Sequence, residues 1–318
     1  MEKDTQLLSD PIFLVGAERS GTTVLRVMLK HHPQITWCNE FEYAVDLIPN
    51  IKSLASLNKY YEWLETHRIF QATGFTIDRT LNYEELVNSF LCQKRDRDGK
   101  PIVGATVHRH FDRLLQIWPN ARFIHIIRDG RDVACSCISM GWAGNVWTGV
   151  NRWIEAEQLW GKISKKIPLQ RRIEVTYEGL IAEPVQTLTR LCDFIGVSYD
   201  PGMINYKDTS TYDLPDPKFI QQWRRKLSEY EVQLVESRIG QMLVERGYEL
   251  SGLAPITVTP IIAQRLRLQD WWYRAQFRLQ HYGLSLFVSD YLSRKIGLVP
   301  WQKSVRLKLN AIETAHLK

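Results

Sequence analysis

Ile12-Phe13-Leu14-Val15-Gly16-Ala17-Glu18-Arg19-Ser20-Gly21-Thr22-Thr23 decides the reading of this chain. Four apolar residues in a row predict a strand buried on both faces. The next seven are small or polar, with a glycine at each end of the turn, which predicts a tight loop. Helical spacing then begins, with Val24, Val27 and Met28 on one side, and His32-Pro33 predicts its end. Strand, glycine turn and helix together aim backbone N–H groups and the positive end of a helix at one point, an arrangement that holds an anion.

The loop has the spacing of a phosphate-binding P-loop, with Thr22 standing where the lysine is expected. Arg19 supplies a cation from within the loop. The missing lysine weighs against nucleoside triphosphate chemistry, where that lysine contacts the outer phosphates. No predicted strand ends in an obvious magnesium-binding aspartate.

Working outward, strands are predicted at Ile102 to Thr106, Arg122 to Ile127 and Arg172 to Thr176. Residues 41 to 92 read as mainly helical, with Val45, Ile48, Ile51 and Leu54 at helical spacing. Asn82 with Glu85 forms a capping-box pattern for a helix ending near Cys92, and Lys94 to Lys100 reads as a charged surface turn. A helix is expected from Arg131. Leu180 to Ile195 reads as one helix stopped by Gly196. A second capping box, Ser228 with Glu231, opens a helix reaching about Arg246, with Gly247 beyond its end. Alternating strands and helices predict an α/β fold, with a P-loop-like central parallel sheet and helices on both faces.

A second anion site is predicted at Arg128, which stands at the C-terminal edge of a strand, where α/β folds bind ligands. Ser136 follows on the next helix, and a guanidinium with a hydroxyl suits a phosphate. Two separate anion sites fit a nucleotide phosphorylated at both the 5′ and 3′ positions.

These blocks resemble the PAPS-dependent sulfotransferases, over roughly residues 11 to 250. The resemblance rests on F-L-V-G-A-E-R-S-G-T-T, on R-F-I-H-I-I-R-D-G-R-D-V-A-C-S, and on V-T-Y-E-G-L-I-A-E-P at 175 to 184. It implies that 3′-phosphoadenosine 5′-phosphosulfate (PAPS) is the sulfuryl donor, with no metal required. Arg19, Ser20, Gly21, Thr22 and Thr23 would hold the 5′-phosphosulfate, and Arg128 and Ser136 the 3′-phosphate. Tyr177 would lie near the adenine, and Arg224 and Lys226 in a segment closing over the nucleotide. Glu40, in C-N-E-F-E-Y, resembles the catalytic glutamate of the tyrosylprotein-type enzymes. His108, in A-T-V-H-R-H, resembles the histidine of the cytosolic ones. Either is a candidate base, with Glu40 preferred and with Glu42 and His110 as close neighbours. Ala105 stands at the position of a family lysine, which shifts transition-state charge stabilisation towards Arg19. A small-molecule kinase and a non-catalytic nucleotide-binding protein are the alternative readings.

Composition sets the remaining bounds. The 318 residues are 44% hydrophobic and 24% charged, which suits a large folded domain rather than disorder. Five scattered cysteines without a metal-ligand pattern read as free thiols in a reducing compartment. A polar start, Met1 to Asp10, and the absence of a long apolar run predict a cytoplasmic protein. The division expected is a sulfotransferase domain at 1–254 and a basic, aromatic, helical extension at 255–318. That extension holds ten Lys or Arg against three Asp or Glu, so the rest carries 31 basic and 32 acidic residues. Such a stretch can pack on its own domain, on a second copy, or peripherally on a membrane. No recognition motif for nucleic acid accompanies the charge. Tryptophans between Trp142 and Trp160 are expected to pack a helix or wall an acceptor site. Small-molecule, carbohydrate, lipid and peptide acceptors all remain open.

Overall fold

The computed structural model describes residues 7–49, 56–206 and 216–316. Its sheet has five parallel strands in the order β2-β3-β1-β4-β5, where β1 is Ile12–Val15, β2 Ile35–Glu40, β3 Ile102–Val107, β4 Arg122–Ile127 and β5 Arg172–Thr176. The expected parallel α/β architecture is present. β1 lies at the centre, paired with β3 and β4, and its alternation explains the unbroken apolar run. Ile12 and Leu14 join Leu25, Met28 and Leu188 on one face. Phe13 turns to the other face, with its ring 5.2 Å from Trp118 and 6.0 Å from Phe123.

Sequence reasoning did not assign β2. It begins two residues after Pro33 and carries polar Thr36, Asn39 and Glu40, so its apolar pattern is short. Tertiary contacts make it a strand: Trp37 lies over Gly104, where any side chain would collide with the indole, and its Nε1–H donates to Thr106 Oγ1 at 3.0 Å. Glu40 therefore ends a strand.

Three further expectations need correction. The helix opened by the Asn82–Glu85 capping box runs Tyr83–Asp98, through the charged stretch assigned to a turn, and ends at Gly99 (φ 63°). Its charged end is anchored by a Lys94–Asp98 ion pair at 2.9 Å and by Arg97 donating to the carbonyls of Thr73 and Gly74. Between residues 41 and 56 the described stretch shows only a short 3-10 turn, Glu42–Ala44, while Ile51 and Leu54 lie outside the described residues. Leu180 to Ile195 is broken at Glu183-Pro184 into Tyr177–Ala182 and Pro184–Ile195. Gly196 does stop the second of these, at φ 90°. The Ser228–Glu231 capping box opens Glu229–Glu245 as expected.

By packing, the chain forms two units. The first, Met1–Glu62, Thr73–Asp129 and Arg152–Gln222, holds the sheet. The second comprises Trp63–Ala72, Gly130–Asn151 and Trp223–Lys318, and includes the C-terminal helical stretches Pro260–Ile296, broken at Gly283 (φ 74°, ψ 161°), and Val299–His316.

Candidate active site

The glycine turn follows β1 in the first unit. Gly16 has φ 145°, and a Cβ there would fall on the Ile126 carbonyl oxygen of β4. Gly21, at φ 90°, precedes the helix Thr22–His31, and a Cβ there would meet the Tyr177 ring. Both positions thus need glycine for conformation and for close approach. Arg19 also has a left-handed backbone, at φ 70°, and is exposed. The helix has no acidic residue in its first turn and no side-chain cap, so its first N–H groups keep their positive character. Glu18 is held in an ion pair with Arg152.

Ser20 marks the binding position. Its side chain is 1% exposed, and among the described residues its Oγ has no hydrogen-bond partner. A buried hydroxyl without a partner costs about 1–3 kcal/mol. Within a loop shaped for anions, that hydroxyl fits a phosphate or sulfate oxygen.

Arg128 backs the loop. From the end of β4 its guanidinium donates to the Arg19 carbonyl at 3.1 Å and to the Phe219 carbonyl at 2.7 Å. It lies 4.4 Å from the Tyr177 ring centroid. Trp153 Nε1–H donates to the Arg128 carbonyl at 2.8 Å, fixing the backbone there. Gly21, Tyr177 and Arg128 are thus stacked in sequence. Tyr177, expected near a base, is buried against the loop itself.

The two candidate bases end neighbouring strands. Glu40 is half-buried and pairs across β2–β3 with Thr106. His108 follows β3 and is 8% exposed, with Nδ1 3.0 Å from the Gly16 carbonyl oxygen. A carbonyl only accepts, so Nδ1 carries a proton and donates it to Gly16. The His108 backbone N–H donates to Glu42 Oε1 at 2.8 Å. Burial pushes the Glu42 carboxyl above the usual range; His108 opposes this and the Glu40 charge adds to it. Glu42, named in sequence only as a neighbour of the candidate bases, is 3% exposed, a burial that nothing local signals. His110 has a left-handed backbone at φ 55° and a pKa lowered by burial and by Arg113.

The remaining predicted residues belong to the second unit. Ser136 is on the helix Gly130–Ser139. Arg224 and Lys226 are exposed on Trp223–Lys226, where the Trp223 ring lies between Arg131 at 3.8 Å and Arg224 at 4.4 Å. Of the tryptophans, Trp153 and Trp160 are core residues.

The profile of the Sulfotransferase family matches residues 11–201, more than half of the chain. The chain belongs to the sulfotransferase family. Protein-tyrosine sulfotransferase A of Caenorhabditis elegans is 28% identical over 219 residues, covering 64% of this chain and 54% of that one. Protein-tyrosine sulfotransferase 1 of Mus musculus is 32% identical over 133 residues, 40% of this chain and 34% of that one. The matched stretch thus spans about half or less of these curated relatives. In fold, the chain is similar to the sulfotransferase domain from the curacin biosynthetic pathway (TM-score 0.57, 16% identity, 77% of this chain and 100% of that one). It is also similar to the sulfotransferase domain of the Synechococcus PCC 7002 olefin synthase (TM-score 0.52, 18% identity, 79% and 98%).

Proposed function

We propose that this sulfotransferase-family chain moves a sulfuryl group from PAPS to a hydroxyl or amine acceptor and releases 3′,5′-ADP. The observation that carries this is the buried, unpartnered Ser20 hydroxyl, set in a glycine turn that Arg128 backs. The donor set fits a phosphosulfate: a hydroxyl, main-chain N–H groups at a helix start, and the guanidinium of Arg19.

When bound, PAPS supplies the sulfuryl group, and its 5′-phosphate becomes part of the leaving nucleotide. Ser20, Thr22 and Thr23 hold the anionic oxygens. Arg19, exposed on the loop, stabilises charge developing there, in the absence of a lysine at Ala105. Arg128 holds the nucleotide's second phosphate. Glu40 takes the acceptor proton on its carboxylate, because it is half-buried and open to an incoming acceptor, whereas His108 is nearly covered. His108 positions the loop by donating from Nδ1 to Gly16. Ser136, Tyr177, Arg224 and Lys226 are assigned to the nucleotide by resemblance. Relatives named as protein-tyrosine sulfotransferases favour a phenolic hydroxyl as acceptor.

The test is release of 3′,5′-ADP from PAPS with a tyrosine-containing peptide as acceptor. Glu40→Gln should lower kcat by about 10²–10⁴-fold while 3′,5′-ADP still binds. Full activity in Glu40→Gln with loss in His108→Gln would move the base to His108. No turnover of PAPS by the wild type with phenolic, alcoholic or amine acceptors would overturn the proposal.

A further inference from the structure

The helix Pro260–Ile296 has two apolar faces, and the fold uses one of them. On the inner face, Leu266 is buried, and the Asp270 carboxylate accepts from Gly144 N–H at 2.7 Å and Thr148 Oγ1–H at 2.8 Å. A Cβ at Gly141 would collide with the Phe277 ring, so this face is seated closely. Ile261, Leu268, Trp272 and Leu279 follow one another at intervals of seven, four and seven residues, which places them in one stripe. That stripe lies about half a turn from Leu266 and Asp270. Its members are exposed: Ile261 by 80% and Trp272 by 66%, with Trp271 beside it at 60%. Exposed Arg265 and Arg278 flank it, while Arg267 lies nearer the inner face, with its guanidinium 6.0 Å from the Trp147 ring centroid.

We propose that this outward stripe seats the second unit on the surface of an anionic phospholipid bilayer. Tryptophan prefers the headgroup level, leucine and isoleucine the acyl boundary, and arginine the phosphates. The charge pattern argues against a second copy as occupant. Asp270 is the sole carboxylate between residues 260 and 289, and it is turned inward. A two-fold self-contact would therefore set arginines against arginines with no acid between them. Among the described residues, no helix is long and apolar enough to cross a membrane, so the contact is peripheral.

The experiment is co-sedimentation of the full chain with phosphatidylcholine vesicles, with and without phosphatidylserine. Variants are the pairs Leu268→Gln with Trp272→Gln and Arg265→Gln with Arg278→Gln; thermal unfolding confirms that each is folded. The expected result is binding to the phosphatidylserine vesicles alone, weakened by added salt and about tenfold or more by either pair. Equal binding to both vesicle types, no binding to either, or binding that neither pair alters would overturn the proposal. A wild-type dimer dissociated by the Leu268→Gln and Trp272→Gln pair would assign the stripe to a second copy instead.

Discussion

Ser20→Ala separates what this residue does for the fold from what it does for the ligand. Its hydroxyl is buried to 1% exposure without a partner among the described residues. In the free protein that hydroxyl is an uncompensated polar group, a cost of about 1–3 kcal/mol. Alanine removes it and leaves space for one atom, so the free variant should be as stable as the wild type or more stable. With nucleotide bound, the same hydroxyl would donate to an anionic oxygen, an interaction of about 1.5–3 kcal/mol. At about 1.4 kcal/mol per factor of ten, the Kd for 3′,5′-ADP should rise about ten- to a hundredfold. Urea unfolding without ligand and calorimetric titration with 3′,5′-ADP give the two numbers. A variant destabilised by more than about 1 kcal/mol with unchanged affinity would refute the reasoning, because Ser20 would then be a structural residue.

Gly21→Ala should cost stability on two counts: about 1–2 kcal/mol for a left-handed backbone, and about 0.5–2 kcal/mol for driving the Tyr177 ring off Arg128. In a Tyr177→Ala background only the backbone part should remain, which a double-mutant cycle by urea unfolding would measure. His125 supplies a pH dependence. It is fully buried and stacked on Trp160 at 4.5 Å. Burial alone would lower its pKa, but Glu157 at 3.0 Å and Glu174 at 3.4 Å outweigh burial and hold it above the ordinary histidine value of 6.5. The resulting stabilisation should be complete below 6.5 and be lost as pH rises through the folded-state value. Urea unfolding across that range should show the loss, and Glu157→Gln should flatten it.

What the sequence disclosed depended on how local the cause was. β1 is a continuous apolar strand, β4 is a mostly apolar one interrupted by His125, and the capping boxes at Asn82 and Ser228 are satisfied within a single turn, so each could be read from a few neighbouring residues. β2 could not, because Trp37 is held by Gly104 and Thr106, nearly seventy residues away. The charged end of the helix Tyr83–Asp98 likewise depends on carbonyls at Thr73 and Gly74. At the site, the glycine loop and Arg128 announced themselves by spacing, and the fold brings them together. The burial of Glu42 and the tie from His108 to Gly16 arise only when β2, β3 and β1 are laid side by side.

The central claim is that the glycine turn and Arg128 hold a nucleotide with two separate phosphates and no metal. The most direct measurement is calorimetric titration of the protein with 3′,5′-ADP in the absence of magnesium, beside Arg128→Ala with its fold confirmed by thermal unfolding. The account predicts tight binding by the wild type that the variant loses. A folded wild type that ignores 3′,5′-ADP and binds ATP with magnesium instead would contradict it.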